Sequence, residues 1–305
     1  MRRLAVCWIA LVAFVAPACA EQGRIEHDKI NVVATFSILG DFTKNVGGDR
    51  VNVTTLVGPN SDTHVYTPAP ADAQKIANAR LVILNGLGLE GWLPRLIQSS
   101  GSKAATVVAS QGITPRRIAA GEAGAGEHGG EADPHAWQSV SNAKIYVANI
   151  RDALIAVDPA GATTYRANAG SYLARLDALD REVRDMLARI PPDRRHVIST
   201  HDAFGYFAAA YGIAFIAPQG VSTDAEPSAG DIASIITQVK KQKIPAVFLE
   251  NISDPRLMRR IATETGSKVG GTLYSDSLTE ENGEAPTYID MVRHNIRALT
   301  SALAG

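Results

Sequence analysis

Residues 81–93 read LVILNGLGLEGWL, and two folds compete for this stretch. Residues 81–84 are an apolar run of strand length, and 89–98 have helical spacing. Between them Gly86, Gly88 and Gly91 spell G-x-G-x-x-G. In a dinucleotide-binding unit such a turn carries a pyrophosphate, and an acidic residue about 20 positions later holds the ribose. Here the next strand, 104–109, runs out at Ala109-Ser110-Gln111, and no acidic residue follows Glu90 until Glu122. The turn also comes after two other strands instead of opening its unit. The stretch therefore reads as a tight turn that lets a helix pack close to a strand, with no nucleotide on it.

The same alternation continues on both sides. Strands are expected at 30–36 and 51–57, helices at 38–46, 71–79 and 142–157, and a loop at 58–70, which is rich in Gly, Pro, Asn and Asp. The second half repeats the theme. Strands fall at 196–199, 213–216, 246–249 and 269–274, and helices at 203–211, 228–241, 254–265 and 285–303. This is an α/β chain of two similar β/α lobes with mostly parallel sheets. Between the lobes Tyr165, Ala169, Tyr172, Leu176, Leu179, Val183, Met186 and Ile190 recur at steps of four and three, and Pro191-Pro192 ends the pattern. One long rigid helix of about 40 Å is expected there, joining the lobes.

The chain opens with Arg2 and Arg3, the apolar run 4–15, and Ala18-Cys19-Ala20. This is the pattern of a secretory signal peptide cut after Ala20. The apolar run falls short of the roughly 20 residues that cross a bilayer. A lipid-anchored form cut at Cys19 is the alternative, although Ala16-Pro17-Ala18 lacks a large aliphatic residue three places before the cysteine. The expected organisation is a leader at 1–20, an N-terminal lobe at 21–157, the connecting helix at 158–192 and a C-terminal lobe at 193–305. Both cysteines, Cys7 and Cys19, lie in the leader. The cut chain then has no thiol, so disulfides are excluded and a metal would have to be held by His, Asp or Glu. Of 30 basic residues, 28 remain against 31 acidic ones once Arg2 and Arg3 are removed. No basic stripe stands out, which excludes nucleic acid as a partner.

Three of the seven histidines occupy informative places. His64 lies in the loop after the 51–57 strand, His135 in DPHAWQ, and His201 at the carboxyl end of the 196–199 strand. Asp276 follows the 269–274 strand in the same way. Ligands in open α/β sheets bind beyond the carboxyl ends of strands. Three neutral imidazoles and one carboxylate suit a borderline divalent cation and leave a Zn²⁺ site with a net charge of about +1. The competing reading is four unrelated loop residues that cap helices or bond backbone. Residues 119–133 are Gly-, Ala- and Glu-rich and are expected to form a mobile surface loop. Its His128, with Glu122, Glu127 and Glu131, reads as part of a solvated linker rather than as a tight ligand. His27, His196 and His294 read as surface or packing residues. Asp202 and Glu250, at strand ends, are expected to bond local backbone, with orientation of a ligand's ring N–H as the alternative.

Six segments in order resemble one family, the cluster A-I solute-binding proteins, which are the periplasmic metal-binding proteins of zinc and manganese ABC transporters. HVYTPAPAD, NGLGLEGWL, DPHAWQSVSNA, STHDAFGYFAAAYGI, VSTDAEPSAGDI and LYSDSL with TYIDMVRHNI are each similar to a family segment. The resemblance covers nearly all of the chain after the leader. It implies two lobes joined by a long helix, with a metal site in the cleft between them. It also implies a periplasmic protein that hands its ion to an inner-membrane permease and catalyses nothing. The family's ligands fall on His64, His135, His201 and Asp276. Zinc members tend to carry His, and manganese members Glu, at the position of His201. Zn²⁺ is therefore expected, with Mn²⁺ as the alternative if Asp276 binds through both oxygens. A monomer is expected, and a loading metallochaperone stays open as a further partner. A zinc hydrolase is disfavoured because no H-E-x-x-H occurs and four protein ligands leave no place for a reactive water. A surface adhesin is the third reading.

Overall fold

A computed structural model describes residues 29–118 and 130–304, and in it the β/α alternation gives two four-stranded parallel sheets. The expected leader, both cysteines, His27 and the 119–129 part of the Gly- and Glu-rich loop, with Glu122, Glu127 and His128, lie outside the described residues. The first sheet contains β1 (Ile30–Phe36), β2 (Val51–Val57), β3 (Leu81–Leu84) and β4 (Ala105–Val108), in the order β2-β1-β3-β4. The second contains β5 (His196–Ile198), β6 (Ala214–Ile216), β7 (Ala246–Glu250) and β8 (Lys268–Leu273), in the order β6-β5-β7-β8. The two orders are the same permutation, so the halves share one topology. Among the described residues no helix is long and apolar enough to cross a membrane.

The helices are α1 (Ser37–Gly47), α2 (Pro70–Ala77), α3 (Leu93–Ser100), α4 (Val140–Val157), α5 (Ala162–Leu187), α6 (Gly205–Tyr211), α7 (Ala229–Gln242), α8 (Arg256–Thr265) and α9 (Tyr288–Leu303). Side chains alternate faces along a strand, and the two faces of each sheet have different destinations. On β1, Val33 points to an outer cluster with Ile76 of α2 and Leu93 and Leu96 of α3. Its neighbours Val32, Ala34 and Phe36 point the other way, into the largest cluster. On β7, Val247 and Leu249 join an outer cluster with Ile235, Val239 and Ile261, while Ala246 and Phe248 join the same large cluster. The inner faces of both sheets thus feed one continuous core.

The long helix α5 has 26 residues, about 39 Å at 1.5 Å per residue. It packs against α1 and α4 of the first half and α9 of the second. Its buried stripe is Tyr165, Ala169, Tyr172, Leu176, Leu179, Val183 and Leu187. The stripe ends on Leu187 rather than the expected Met186, since the step after Val183 is four. Ile190 is buried beyond the helix, in a terminal turn. Aromatic rings join the halves. Phe42 of α1 meets Tyr288 of α9 edge-on with centroids 4.8 Å apart, and the Tyr288 hydroxyl donates to Trp137 O at 2.7 Å, while Trp137 packs at 5.0 Å on Phe36 of its own half.

Two further expectations are corrected. The helix expected over 89–98 is α3 at Leu93–Ser100, preceded by turns. The buried Glu90 carboxylate accepts from the Asn85 and Gly86 amides at 2.6 and 3.1 Å and folds the chain back before Pro94 starts the helix. The glycines of the turn serve its backbone. Gly86 has φ of 82°, and a Cβ there would stand 2.5 Å from Val108 Cγ1, whereas a Cβ on Gly91 would meet nothing within 4 Å. Close helix packing is therefore not what the third glycine provides. The expected loop at 119–133 is also not free to its end. The Ile118 amide donates to Glu131 O at 3.0 Å and the Asp133 amide to Arg116 O at 2.8 Å, with an antiparallel bridge from Arg117 to Ala132.

Candidate metal centre

The carboxyl ends of the two sheets face one another, and four segments meet between them. His64 sits in the loop after β2, where Asp62 Oδ1 accepts its backbone N–H at 2.9 Å. His135 follows the 130–133 segment that is pinned to 116–118. Asp133 Oδ1 accepts from both its backbone N–H, at 2.9 Å, and its ring Nδ1, at 2.8 Å. His201 follows β5. Glu250, the last residue of β7, accepts from the Thr200 and His201 amides through Oε1, at 2.7 and 3.0 Å, and from His201 Nδ1 through Oε2, at 2.5 Å. Asp276 follows β8. The preceding Ser275 carbonyl accepts from Trp137 Nε1 at 2.9 Å and Gln138 Nε2 at 2.6 Å, which ties the Asp276 segment to the His135 segment.

These anchors turn the Nε2 atoms of all three histidines toward each other. His135 Nε2 is 3.2 Å from that of His64 and 3.4 Å from that of His201. Asp276 Oδ2 lies 3.2 Å from the Nε2 atoms of both His64 and His201, and Oδ1 lies 3.6 Å from that of His135. A tetrahedral ion with bonds of about 2.0–2.1 Å has ligand–ligand edges of about 3.3–3.4 Å, so these spacings accommodate one. Among the described residues this is the single His/Asp/Glu group of metal-holding geometry, its donor atoms all within 4.8 Å of one another.

The centre is dry. His135, His201 and Asp276 are fully buried, and only His64 keeps slight exposure, 4 % of its side chain. Neither Asp276 oxygen has a hydrogen-bond partner, although three imidazole nitrogens stand within 3.2–3.6 Å. A buried carboxylate left without donors costs several kcal/mol, on the order of 3–5 where a charge partner is removed. A cation seated among the three Nε2 atoms relieves that cost. Burial would depress the His135 imidazolium, but the Asp276 charge and the Asp133 hydrogen bond outweigh it and raise its pKa to about 9. His201 is pushed well above 6.5 in the same way, burial being outweighed by Glu250 and then Asp276. Burial would raise the Asp276 carboxyl, yet the His135 and His201 charges hold it well below the usual carboxylate range.

All four expected residues come together. Of the histidines set aside, His294 Nε2 reaches Thr272 O at 3.0 Å and packs on Tyr274, and His196 is exposed on β5. Glu250 takes the alternative role: it orients the His201 ring N–H, and the backbone amides it accepts from, Thr200 and His201, lie 50 and 49 positions away and not in its local chain. The Asp202 carboxylate approaches Arg116 Nη1 at 3.8 Å. Sequence reasoning missed Asp133 and Arg116. Asp133 was legible as the acid two residues before His135. Arg116, 3.1 Å from Asp133 Oδ2, left no local signal. A divalent ion, the carboxylates of Asp276, Glu250 and Asp133, and the Arg116 guanidinium sum to zero charge with neutral imidazoles.

The sequence pattern of the family described as zinc-uptake complex component A, periplasmic (ZnuA), matches residues 32–302. The chain is 37% identical over 268 residues to the iron-binding protein YfeA of Yersinia pestis, across 88% of this chain and 84% of the relative. It is 34% identical over 299 residues to the manganese-binding lipoprotein MntA of Halalkalibacterium halodurans, across 97% of both. The periplasmic zinc-binding protein TroA of Treponema pallidum superposes with a TM-score of 0.84 at 31% identity, covering 91% of this chain and all of TroA. The manganese-bound periplasmic metal-binding protein of Candidatus Liberibacter asiaticus gives 0.80 at 32% identity, covering 90% of this chain and all of that one.

Proposed function

The chain belongs to the periplasmic zinc-uptake component A family and is a metal-binding solute-binding component of an ABC transporter, and from this premise we propose that its cargo is zinc. Members of this family bind a solute for a membrane permease and its ATPase; they are not enzymes. In our reading His64, His135, His201 and Asp276 are the ligands. The observation that carries it is the orphaned, fully buried Asp276 carboxylate facing three imidazole nitrogens. Two carboxylates fix the free ring nitrogens of His135 and His201, so that their Nε2 lone pairs point inward. A shell of three nitrogens and one oxygen suits Zn²⁺ better than Mn²⁺, which prefers oxygen and higher coordination.

Manganese is the second reading. Its support is that both Asp276 oxygens face the imidazoles, within 3.2–3.6 Å, which gives five donors if both bind. Nitrogen-rich sites bind Zn²⁺ more tightly than Mn²⁺ whatever they carry in the cell. Affinity order alone therefore does not identify the cargo. The test is metal analysis of protein taken from its native cells without chelator, together with titration of the wild type and of His64→Ala, His135→Ala, His201→Ala and Asp276→Ala. Stoichiometric zinc in the native protein and a large affinity loss in each variant support the proposal. Stoichiometric manganese overturns zinc, and unchanged affinity in the variants overturns the ligand set.

We also propose export to the periplasm with removal of residues 1–20, leaving lobes at 21–157 and 193–305 joined by 158–192. The mass of the mature N-terminus checks this. A lipid on Cys19 would replace the free form with an anchored one, as in the relatives named lipoproteins.

A further inference from the structure

Of the four converging side chains only His64 is not fully buried. A cation leaving the centre therefore passes His64, and the cover at that point sets how quickly it goes. Asp62 and Thr223 form that cover. Asp62 Oδ1 accepts the His64 N–H at 2.9 Å, while Asp62 Oδ2 accepts the Thr223 hydroxyl at 2.6 Å from the opposite half of the molecule. Thr223 is itself tethered toward His201. Gln219 Nε2 donates to the Thr223 and Ala225 carbonyls at 3.2 and 2.9 Å, and the Gln219 amide donates to Thr200 O at 3.3 Å, beside a parallel bridge between His201 and Gln219. One hydrogen bond thus joins the backbone of His64 to the segment that carries His201, across the cleft.

Two crevices flank this bond. One, of about 470 Å³, is lined by Asp62, Val65, Thr200, Gln219 and Thr223; the other, of about 210 Å³, by His64, Glu131, Val221, Ser222 and Asp224. The loop from Val221 to Asp224 lies between them as a bar over His64. The hydroxyl-to-carboxylate link to Asp62 is the bond that ties this bar to the loop of His64, in the opposite half.

We propose that Asp62 and Thr223 are positioning residues that form a clasp controlling the rate at which the bound ion departs. The inference rests on the ligand set proposed above. The clasp touches no donor atom of the centre, so it acts on the lifetime of the loaded state and leaves the coordination geometry alone. A hydrogen bond to a charged acceptor is among the stronger protein hydrogen bonds, and its loss at a half-exposed site speeds release by about tenfold.

The test loads wild type, Thr223→Val and Thr223→Ser with one equivalent of Zn²⁺ and follows release into excess chelator by stopped flow. Valine keeps the shape of threonine without the hydroxyl, and serine keeps the hydroxyl. The expected result is release about tenfold faster from T223V, near-wild-type release from T223S, and the same visible spectrum of the Co²⁺-substituted forms. Thr223→Ala replaces T223V if the valine disturbs the loop. Equal release from wild type and T223V overturns the clasp, as does equal acceleration by T223S. If wild type itself does not retain zinc, or His64→Ala retains it equally well, the ligand set fails and the clasp with it.

Discussion

Replacing Glu250 with glutamine should weaken zinc binding although Glu250 never touches the ion. The wild-type carboxylate uses both oxygens fully. Oε1 accepts two backbone amides, and Oε2 accepts His201 Nδ1 at 2.5 Å and the Ser275 hydroxyl at 2.8 Å. The glutamine carbonyl can keep the two amides, since nothing else there satisfies them. Its NH₂ then faces His201 Nδ1, a donor facing a donor. The imidazole resolves this by moving its proton to Nε2, the atom that must bind the ion. Loss of such an outer partner costs about 10–100-fold in metal affinity, or about 1.4–2.8 kcal/mol. The inverted tautomer places E250Q at the upper end of that range. Competition against a calibrated chelator at pH 7 measures it, with circular dichroism of the metal-free variant to confirm the fold. Zinc affinity within twofold of wild type in a folded E250Q would refute the tautomer argument.

Proton linkage gives a second expectation. His135, at about 9, and His201, well above 6.5, are both protonated in the metal-free protein at pH 7, and both must be neutral to bind. Zinc binding near neutral pH should release protons, seen as a dependence of calorimetric heat on buffer ionisation enthalpy, and affinity should fall as pH drops below about 9. The sign reverses for the metal-free fold. The raised pKa of His135 stabilises it fully below about 6.5, and that contribution is lost as pH rises through about 9. Melting curves of loaded and stripped protein should therefore diverge between pH 6.5 and 9. At a free zinc concentration of 1,000 times Kd, the ion should add about 4 kcal/mol of stability, reversed by chelator. Gly86→Ala should destabilise by about 1–3 kcal/mol through its positive φ and the approach to Val108, while Gly91→Ala should lie within about 0.5 kcal/mol of wild type in denaturant melts.

The strands and the long helix were legible because their periods are local. VNVTTLV and the Tyr165-to-Val183 stripe carry their own pattern, and β1 and β2 match the expected bounds. Helix starts were less so. Nothing within 89–98 shows that the Glu90 carboxylate will turn back onto Asn85 and delay α3 to Leu93. At the centre His64, His135, His201 and Asp276 were suggested by their strand-end positions and by the family likeness. The partners that aim them were harder to find. Asp133 lies two residues from His135, but Glu250 is 49 positions from His201, and Arg116 is 17 from Asp133 and 86 from Asp202. Only the fold brings such groups together, so spacing along the chain says nothing of them.

The single core beneath both sheets restricts how a loaded molecule can differ from an empty one. Swinging the two halves apart like a jaw would wet Phe42 and Tyr288 where they meet, and would break the bonds from Trp137 Nε1 to Ser275 O and from the Tyr288 hydroxyl to Trp137 O. At about 1.5–3 kcal/mol for each large apolar side chain, these two exposures cost about 3–6 kcal/mol, a large part of the binding free energy of a micromolar ligand, about 8 kcal/mol. A wide gape would thus consume much of what cargo binding can supply. Loaded and empty molecules should therefore differ mainly in the surface segments above the ion, on a body that stays otherwise the same.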